Sequence, residues 1–322
     1  RTAIKADTTL TFHRFKSGQF LLPGKKYCGK IVILNIGLTN FDKKCFLKLN
    51  QPTNIFKPSP NDNKYTRGGC LVIADKNYVG ASKLSFLSLT KSTLRSGSGY
   101  CSLIVNEKYA KFYKLHVLEE MILTYNNIHD FYNLIEKQKS NTVIYGCGVE
   151  NNSINKKILT YLLQNKINLV IDATAFSIIQ KNKSEFFLLL NKRKNQTIMT
   201  PHEGEFKRIF KKTNNKVNDC LQASKESNSI IVYKGNDTVI GNPDGQCFIN
   251  NDSSPYLATA GSGDVLAGII GGLFSQGFDG LMAARLGCYI HSKCGINLGP
   301  GLIASDLINK IPETINNLIN SK

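Results

Sequence analysis

Short apolar runs alternate with segments of helical periodicity over most of the chain after residue 69. The apolar runs predict strands at 70–75, 100–105, 143–148 and 167–174, at the start of 197–206, and on both sides of a tight turn in 229–241. Helical spacing predicts helices at about 80–97, 153–165, 263–276, 279–297 and 304–319. Continuously apolar strands that alternate with helices predict an α/β fold, in which a mostly parallel sheet is covered by helices on both faces.

The first part of the chain has a different pattern. Residues 1–35 alternate apolar and polar side chains, which is typical of strands, and Leu-Pro-Gly at 22–24 marks a turn between them. Residues 50–68 are dense in Pro, Asn and Lys, which favours a connecting segment. We therefore expect a small N-terminal unit at 1–50, a linker at 51–68 and a large α/β domain at 69–322.

Chemically distinctive residues follow the predicted strands of the large domain. They lie at Gly146–Gly148, Asp172, Thr200–Glu205 and Lys234–Thr238. Ligands of open α/β sheets bind beyond the carboxyl ends of the strands. The sequence therefore predicts that these segments meet at one edge of the sheet. Locally, Lys234 suits either a phosphate contact or a cap on its strand. Asp172 suits either the orientation of a metal-bound water or a turn cap.

The stretch Ala-Gly-Ser-Gly-Asp at 260–264 precedes a helix of small apolar residues. Gly261 and Gly263 permit a crowded or left-handed backbone, so that amide groups point outward at a helix N-terminus and form an anion hole. A carboxylate beside that hole is suited to take a proton from a hydroxyl that attacks a bound phosphoryl group. The alternative is that Asp264 is only the N-cap of the helix. The deeply apolar helix behind the turn favours the chemical role.

Two common phosphate-binding motifs are missing from the sequence. The glycines at 261 and 263 are not followed by the Gly-Lys-Ser/Thr of a P-loop, and Gly-Cys-Gly at 146–148 is not continued into a Rossmann fingerprint. A phosphate-binding fold of another kind is expected.

Composition restricts the partners that the chain can take. The net charge of +18 comes from 41 Lys and Arg against 23 Asp and Glu, but the lysines are spread along the chain and accompany no nucleic-acid-binding motif. No apolar stretch has the length of a membrane span. The nine cysteines form no C-x-x-C pair, so reduced thiols in a cytoplasmic protein are expected. The sequence thus predicts no nucleic-acid and no membrane partner.

Four segments in order resemble one known family: ATAGSGDVLAGIIGGLFSQG, TPHEGEF, YKGNDTVI and GLIASDLINKIP. Between about residues 64 and 320 the chain resembles the ADP- or ATP-dependent NAD(P)H-hydrate dehydratases. The resemblance implies a ribokinase-like three-layer α/β/α sandwich. Residues 1–35 resemble the end of an NAD(P)H-hydrate epimerase domain. This likeness, and Arg rather than Met at position 1, imply that an epimerase domain precedes residue 1 on the same chain.

The resemblance implies a reaction in which a nucleotide phosphorylates the ring hydroxyl of NADHX or NADPHX, the hydrated forms of NADH and NADPH. Phosphate then leaves and the dihydronicotinamide is restored. It implies ADP or ATP as phosphoryl donor, Mg²⁺ as cofactor with no assigned metal ligands, and a homo-oligomer. The implied site residues are Asp264 as base; Gly261, Ser262 and Gly263 as anion hole; Ala81, Gly148, His202, Glu205 and Asp264 at the hydrate; and Lys234, Gly235, Asn236, Asp237, Thr238 and Gly263 at the nucleotide.

The chain departs from the family pattern on the hydrate side. Ala74-Asp75-Lys76 stands where the family has Gly-Gly-Ser, and Gly146–Glu150 where it has Gly-Pro-Gly-Leu-Gly. Thr174 replaces a second acid in Asp-Ala-Asp-Ala-Leu, and Ser262 replaces a threonine. Acids at 75 and 150 would repel a pyrophosphate. Two alternatives therefore stay open: a catalytically weak nucleotide-binding protein, and a ribokinase-like kinase for a vitamin precursor.

Overall fold

The computed structural model describes residues 3–38, 46–52, 55, 57–75, 81–115 and 119–320, with only the backbone of 81–84. Cys45 and Lys76 lie outside the described residues. No helix within these ranges combines the length and apolar character needed to cross a bilayer. Each described cysteine is a free thiol, and all of them except Cys28 are buried.

Twelve strands in the described ranges form two sheets. The smaller sheet pairs β1 with β2 in parallel. The larger has ten strands in the order β3-β12-β11-β10-β9-β8-β7-β4-β5-β6, parallel except where β11 runs antiparallel to β10 and β12. The strands are β1 (Thr8–Phe12), β2 (Lys30–Leu34), β3 (Leu47–Leu49), β4 (Gly69–Ile73), β5 (Tyr100–Asn106), β6 (Met121–Tyr125), β7 (Thr142–Tyr145), β8 (Asn168–Ile171), β9 (Thr197–Met199), β10 (Ile230–Tyr233), β11 (Val239–Gly241) and β12 (Cys247–Ile249).

Twelve α-helices in the described ranges accompany the sheets, and two layers of them cover the large sheet. The helices are α1 (Lys25–Cys28), α2 (Ala81–Arg95), α3 (Glu107–Lys114), α4 (Ile128–Lys137), α5 (Ser153–Gln164), α6 (Thr174–Lys181), α7 (Lys183–Lys192), α8 (Glu203–Ile209), α9 (Lys216–Ser227), α10 (Ser262–Ser275), α11 (Gly280–Leu298) and α12 (Ala304–Asn320).

Alternation along buried strands places side chains in two separate cores. In β4, Cys70 and Val72 pack with α2, α10, α11 and α12, whereas Leu71 and Ile73 pack with α4 to α9 on the opposite face. Successive strand side chains point to opposite faces, so a strand that is covered on both sides must be apolar throughout. The predicted three-layer α/β/α architecture is confirmed.

Glycines set the position of α10 against α2. A Cβ atom built on Gly268 would lie 1.9 Å from Ser92 Oγ and 2.6 Å from the Leu89 carbonyl oxygen. A Cβ on Gly272 would lie 2.2 Å from Ser96 Oγ. Larger residues would force the helices apart, so these glycines fix where the N-terminus of α10 meets the sheet edge.

The N-terminal residues contact the large domain directly. β3 lies before the predicted linker, yet it pairs in parallel with β12 at the edge of the large sheet. Phe20 is buried in the core beneath α4 to α9. The large sheet therefore extends across the predicted division at residue 50, and the division into domains itself stays a prediction.

Candidate active site

A cavity of about 740 Å³ opens at the carboxyl ends of the central strands. It is lined by the loop that follows β10, by the first turn of α10 and by one side of α11. A volume of this size fits a nucleotide-sized ligand. Its lining includes Lys234, Gly235, Asn236, Asp237, Thr238, Ser262, Gly263 and His291.

The first turn of α10 has open amide groups. Gly261 is the N-cap, with φ of 81°, a left-handed conformation that favours glycine, and it provides no side-chain cap. The Ser262 N–H donates to the Thr259 carbonyl at 3.3 Å. Within the part of the chain that the structure describes, the amides of Gly261, Gly263 and Asp264 have no acceptor. Open amides at a helix N-terminus suit an anion.

Asp264 is the third residue of α10, so the N-cap interpretation of its role is wrong. Burial raises the pKa of its carboxyl group, and the nearby charge of Asp172 raises it further. The Cys147 thiol and the Ser85 hydroxyl lie beside the carboxylate and partly offset this rise in pKa. A carboxylate with a raised pKa is a stronger base than a surface aspartate.

Asp172 and Lys234 form an ion pair at the ends of β8 and β10. Lys234 Nζ lies 2.8 Å and 3.2 Å from the two oxygens of Asp172, and the Ala173 N–H donates to the nearer one at 2.8 Å. Burial opposes the charge on Lys234, but Asp172 and Glu205 outweigh it, and the pKa of Lys234 is raised. This pair therefore joins segments that lie 62 residues apart. It brings together two of the four segments that the sequence predicts to meet at this edge.

His202 and Glu205 form a reciprocal cap at the start of α8. His202 Nδ1 accepts from the Gly204 and Glu205 amides, and Glu205 Oε2 accepts from the His202 amide at 2.9 Å. Since Nδ1 accepts, Nε2 carries the proton and donates to Glu205 Oε1 at 3.2 Å. Burial, with Lys234 nearby, lowers the pKa of His202. Burial and then Asp172 raise the pKa of Glu205 to about 7.

His291 on α11 lines the cavity, although none of the motifs in the sequence points to it. Its Nε2 lies 3.0 Å from the Ser262 carbonyl oxygen and 3.2 Å from Ser262 Oγ. A carbonyl can only accept, so Nε2 carries the proton. Burial lowers the pKa of His291 to about 4, so the ring is neutral. Because α11 also carries Arg285, Ser292 and Lys293, the sequence gives no specific signal for this contact.

The loop after β10 is held by contacts to its own side chains and to α9. Thr238 Oγ1 accepts from the Gly235 amide at 3.1 Å and donates to the Gly235 carbonyl at 2.7 Å. Asp237 Oδ1 accepts from Lys216 Nζ at 2.6 Å. The ends of these two side chains are therefore engaged within the protein, while the loop lines the cavity.

On the predicted hydrate side, two of the departures from the family pattern touch each other. Asp75 Oδ2 accepts from Asn155 Nδ2 at 2.6 Å and from the Glu150 amide at 3.3 Å. Gly148 has φ of 69°, which favours glycine. Ala81 begins α2, but its side chain lies outside the described residues.

A family model described as NAD(P)H-hydrate dehydratase matches residues 70–317. The bifunctional NAD(P)H-hydrate repair enzyme of Thermofilum pendens is 27% identical over 340 residues, which cover 97% of this chain and 63% of that protein. The enzyme of the same description from Mycobacterium tuberculosis is 28% identical over 283 residues, 85% of this chain and 54% of that protein. The chain thus spans less than two thirds of the length of these relatives.

Solved structures show the same fold. A ribokinase-like superfamily protein from Enterococcus faecalis superposes with a TM-score of 0.72 at 21% identity, covering 87% of this chain and 99% of that one. The ADP/ATP-dependent NAD(P)H-hydrate dehydratase from Bacillus subtilis, co-crystallised with ATP and Mg²⁺, has a TM-score of 0.65 at 23% identity, covering 83% and 94%. The matched family model spans most of the chain and includes the loop after β10 and the first turn of α10. The chain therefore belongs to the NAD(P)H-hydrate dehydratase family, with a ribokinase-like fold.

Proposed function

We propose that this chain catalyses the nucleotide-dependent dehydration of NADHX and NADPHX, as a carbon–oxygen lyase of cofactor repair. The observation that carries the proposal is the pairing of Asp264, whose pKa is raised by burial, with the open amides of Gly261, Gly263 and Asp264 itself. A proton acceptor beside an anion-binding turn is what phosphoryl transfer to a hydroxyl requires. Membership of the dehydratase family supports the choice of substrate.

In the proposed reaction, the Asp264 carboxylate accepts the proton of the ring hydroxyl while that oxygen bonds to the terminal phosphorus of the nucleotide. The bond from this phosphorus to the bridging oxygen breaks, and the shortened nucleotide leaves with the electron pair. The amides of the α10 turn stabilise charge on the transferred group. The phosphate then leaves the ring with the carbon–oxygen electron pair, and loss of a proton from the adjacent ring carbon restores the double bond.

The nucleotide is proposed to occupy the cavity between the Lys234–Thr238 loop and the first turn of α10. Both line the same cavity, and the related Bacillus subtilis enzyme was co-crystallised with ATP and Mg²⁺. Residues 234–238 would hold the nucleoside part, and the α10 turn its terminal phosphate. ADP and ATP both fit this arrangement as donors.

Mg²⁺ is proposed to enter with the nucleotide. Among the described residues, no three His, Cys, Asp or Glu side chains cluster at metal-binding distance, so the donor set does not fit a resident protein-bound ion. It fits an ion held mainly by nucleotide phosphates, with Asp172 and Asp264 as the nearby carboxylates. When bound, such an ion neutralises charge on the phosphoryl donor.

An upstream epimerase domain is proposed as the partner of the N-terminal residues. The two-stranded parallel sheet of β1 and β2 leaves Leu10, Phe12 and Ile33 exposed, and an isolated two-stranded sheet is marginally stable. The bifunctional repair enzymes are longer than this chain, and an epimerase domain packed on this sheet would cover these side chains. Free thiols support a proposed cytoplasmic location, and a homo-oligomer remains part of the proposal.

A catalytically weak nucleotide-binding protein is the second candidate, because Asp75 and Glu150 add negative charge on the proposed hydrate side. Incubation with hydrated NADH and either ADP or ATP, with absorbance followed at the reduced-nicotinamide band, separates the candidates. Recovery of the band with release of inorganic phosphate supports the dehydratase. Nucleotide binding without recovery favours the second candidate, and a stable phosphorylated product of another substrate would indicate a kinase.

A further inference from the structure

A segment near the N-terminus packs against the loop that follows β10. This segment, residues 20–28, contains the turn at Leu22–Gly24 and the short helix α1, and we call it the N-terminal brace. Phe20 at its start is buried with 8% of its surface exposed. The brace is therefore anchored in the core of the large domain rather than lying free on its surface.

Three hydrogen bonds join the brace to the large domain around the cavity. The Leu22 amide donates to Asp237 Oδ2 at 2.9 Å. Lys25 Nζ donates to the carbonyl oxygens of Asn236 at 3.0 Å and Asn251 at 2.7 Å. Leu22 also lines the cavity itself. Partners more than 200 residues apart in sequence thus fix the backbone of the proposed nucleotide loop.

The loop is held from the other side as well. Lys216 Nζ lies 2.6 Å from Asp237 Oδ1 and 4.6 Å from the centre of the Tyr233 ring, so both oxygens of Asp237 are engaged. Ser253 Oγ donates to the Asn236 carbonyl at 2.6 Å, alongside Lys25. The loop is therefore clamped between α9 and the brace, and loss of the brace would remove one of the two sides.

Lys25 is a charged donor to neutral acceptors. It is half-buried, and burial lowers its pKa, while Asp237 and Asp252 favour its charged form. Hydrogen bonds from an ammonium group are stronger than those between neutral groups. Lys25 thus binds the Asn236 carbonyl oxygen. The next residue, Asp237, accepts a hydrogen bond from the Leu22 amide of the brace.

We propose that the N-terminal brace is part of the nucleotide site and that Lys25 is a positioning residue for the nucleotide. This inference rests on the proposed function, because it assumes that the Lys234–Thr238 loop binds an adenine nucleotide. The brace acts by fixing the loop backbone and by contributing Leu22 to the cavity wall. Docking of the brace and binding of nucleotide then stabilise each other, since coupling between two binding events is reciprocal. A domain preceding the brace would be coupled to the nucleotide site by this route.

Lys25→Met tests the proposal, because it keeps the aliphatic stem and removes the donors. Lys26→Met, which changes an exposed neighbour on the same short helix, is the matched control. Binding of ADP and of ATP with Mg²⁺ is measured by calorimetry on the whole chain. We expect about tenfold weaker binding in Lys25→Met, partial recovery in Lys25→Arg and less than a twofold change in Lys26→Met.

Equal nucleotide affinity in the wild type and Lys25→Met would overturn this inference and leave the proposed function intact. Absence of nucleotide binding by the wild type would contradict the proposed function and the inference together. KM for the nucleotide should rise in Lys25→Met with little change in kcat, which distinguishes a positioning role from a general loss of structure.

A second measurement uses only the wild-type chain, so it does not depend on how the variant folds. Saturating nucleotide should slow cleavage by trypsin after Lys26 several-fold, because a bound nucleotide stabilises the docked brace. Cleavage at an exposed lysine that does not line the cavity, such as Lys137 at the end of α4, should not change. An unchanged rate after Lys26 would count against the coupling.

Discussion

The nucleotide side and the hydrate side of the proposed active site share one sheet edge but are fixed in different ways. The nucleotide side comprises Lys234–Thr238 and Gly261–Asp264, where Ser262 in place of threonine is the one noted departure from the family pattern. The hydrate side comprises Asp75, Gly146–Glu150 and His202, where several residues depart from it. On the first side the contacts link segments far apart in the chain. On the second side the substituted residues contact one another.

This difference shows that departures from a motif are best interpreted together. Asp75 is a conspicuous change if it is considered alone, since a small residue is expected there. In the structure its carboxylate accepts from Asn155 Nδ2 and from the Glu150 amide. The two segments that differ from the family pattern are therefore joined by a hydrogen bond. A buried polar group that is hydrogen-bonded costs little stability. The departures therefore alter the charge of the hydrate side without disrupting its fold.

The largest effect should come from Asp264→Asn. The amide retains the shape of the side chain but is not a base, so kcat should fall about 10²- to 10⁴-fold. Nucleotide affinity should stay within about threefold, because the open amides of the turn are retained. Asp306→Asn is the matched control, since Asp306 is also the third residue of its helix, α12. Full activity of Asp264→Asn would remove the base from the proposed mechanism.

Breaking the ion pair between Lys234 and Asp172 tests how much this contact between the ends of β8 and β10 stabilises the fold. Lys234→Met leaves Asp172, with 3% of its side chain exposed, as a buried charge without its partner. The free energy of unfolding at pH 7 should fall by about 3–5 kcal/mol. Denaturant titration measures this, and Lys234→Met with Asp172→Asn should recover part of the loss. As a control, Lys310→Met breaks a more exposed pair with Glu313 and should cost at most about 1 kcal/mol.

His291 gives the nucleotide side a pH dependence. Its pKa is about 4 in the folded chain and about 6.5 in an unfolded one, so only the unfolded state binds a proton between these values. His291 therefore leaves the free energy of unfolding at its full value above pH 6.5. As the pH falls from 6.5 towards 4, that free energy falls by about 3 kcal/mol.

Denaturant titrations at pH 7.5, 5.5 and 4.5 should show this loss in the wild type. It should be much smaller in His291→Gln, which keeps a donor for the Ser262 carbonyl. His129→Gln, at an exposed position on α4, should behave like the wild type. Parallel stability curves for the wild type and His291→Gln would contradict the assignment.

Much of the fold could be predicted from the sequence because each central strand is apolar on both faces. The predicted strands near residues 70, 100, 143, 167, 197 and 230 are all present. β6 and α9 were not predicted, because their hydrophobic patterns are weaker. β6 lies towards the sheet edge and is only partly buried, and α9 has a largely polar surface.

The candidate site was only partly predictable for a related reason. Local motifs indicate Asp264 and the glycines around it, because a helix N-terminus is a local structure. The contact of His291 with Ser262 joins two helices, and that of Leu22 with Asp237 joins residues 215 apart. Such pairings depend on the packed tertiary structure, and no periodicity within a single sequence specifies them.

The smallest predicted effect concerns charge on the hydrate side. Glu150→Gln keeps an acceptor for Asn152 Nδ2, which lies 3.2 Å from Glu150 Oε2, and removes one negative charge. If the pyrophosphate of the hydrate approaches this segment, KM for the hydrate should fall about two- to fivefold, because like charges repel across a partly screened distance. KM for the nucleotide should not change. The control, Glu107→Gln on the exposed surface of α3, removes the same charge elsewhere. An equal fall in KM in both variants would assign the effect to net charge, and no fall in Glu150→Gln would place the pyrophosphate away from this side.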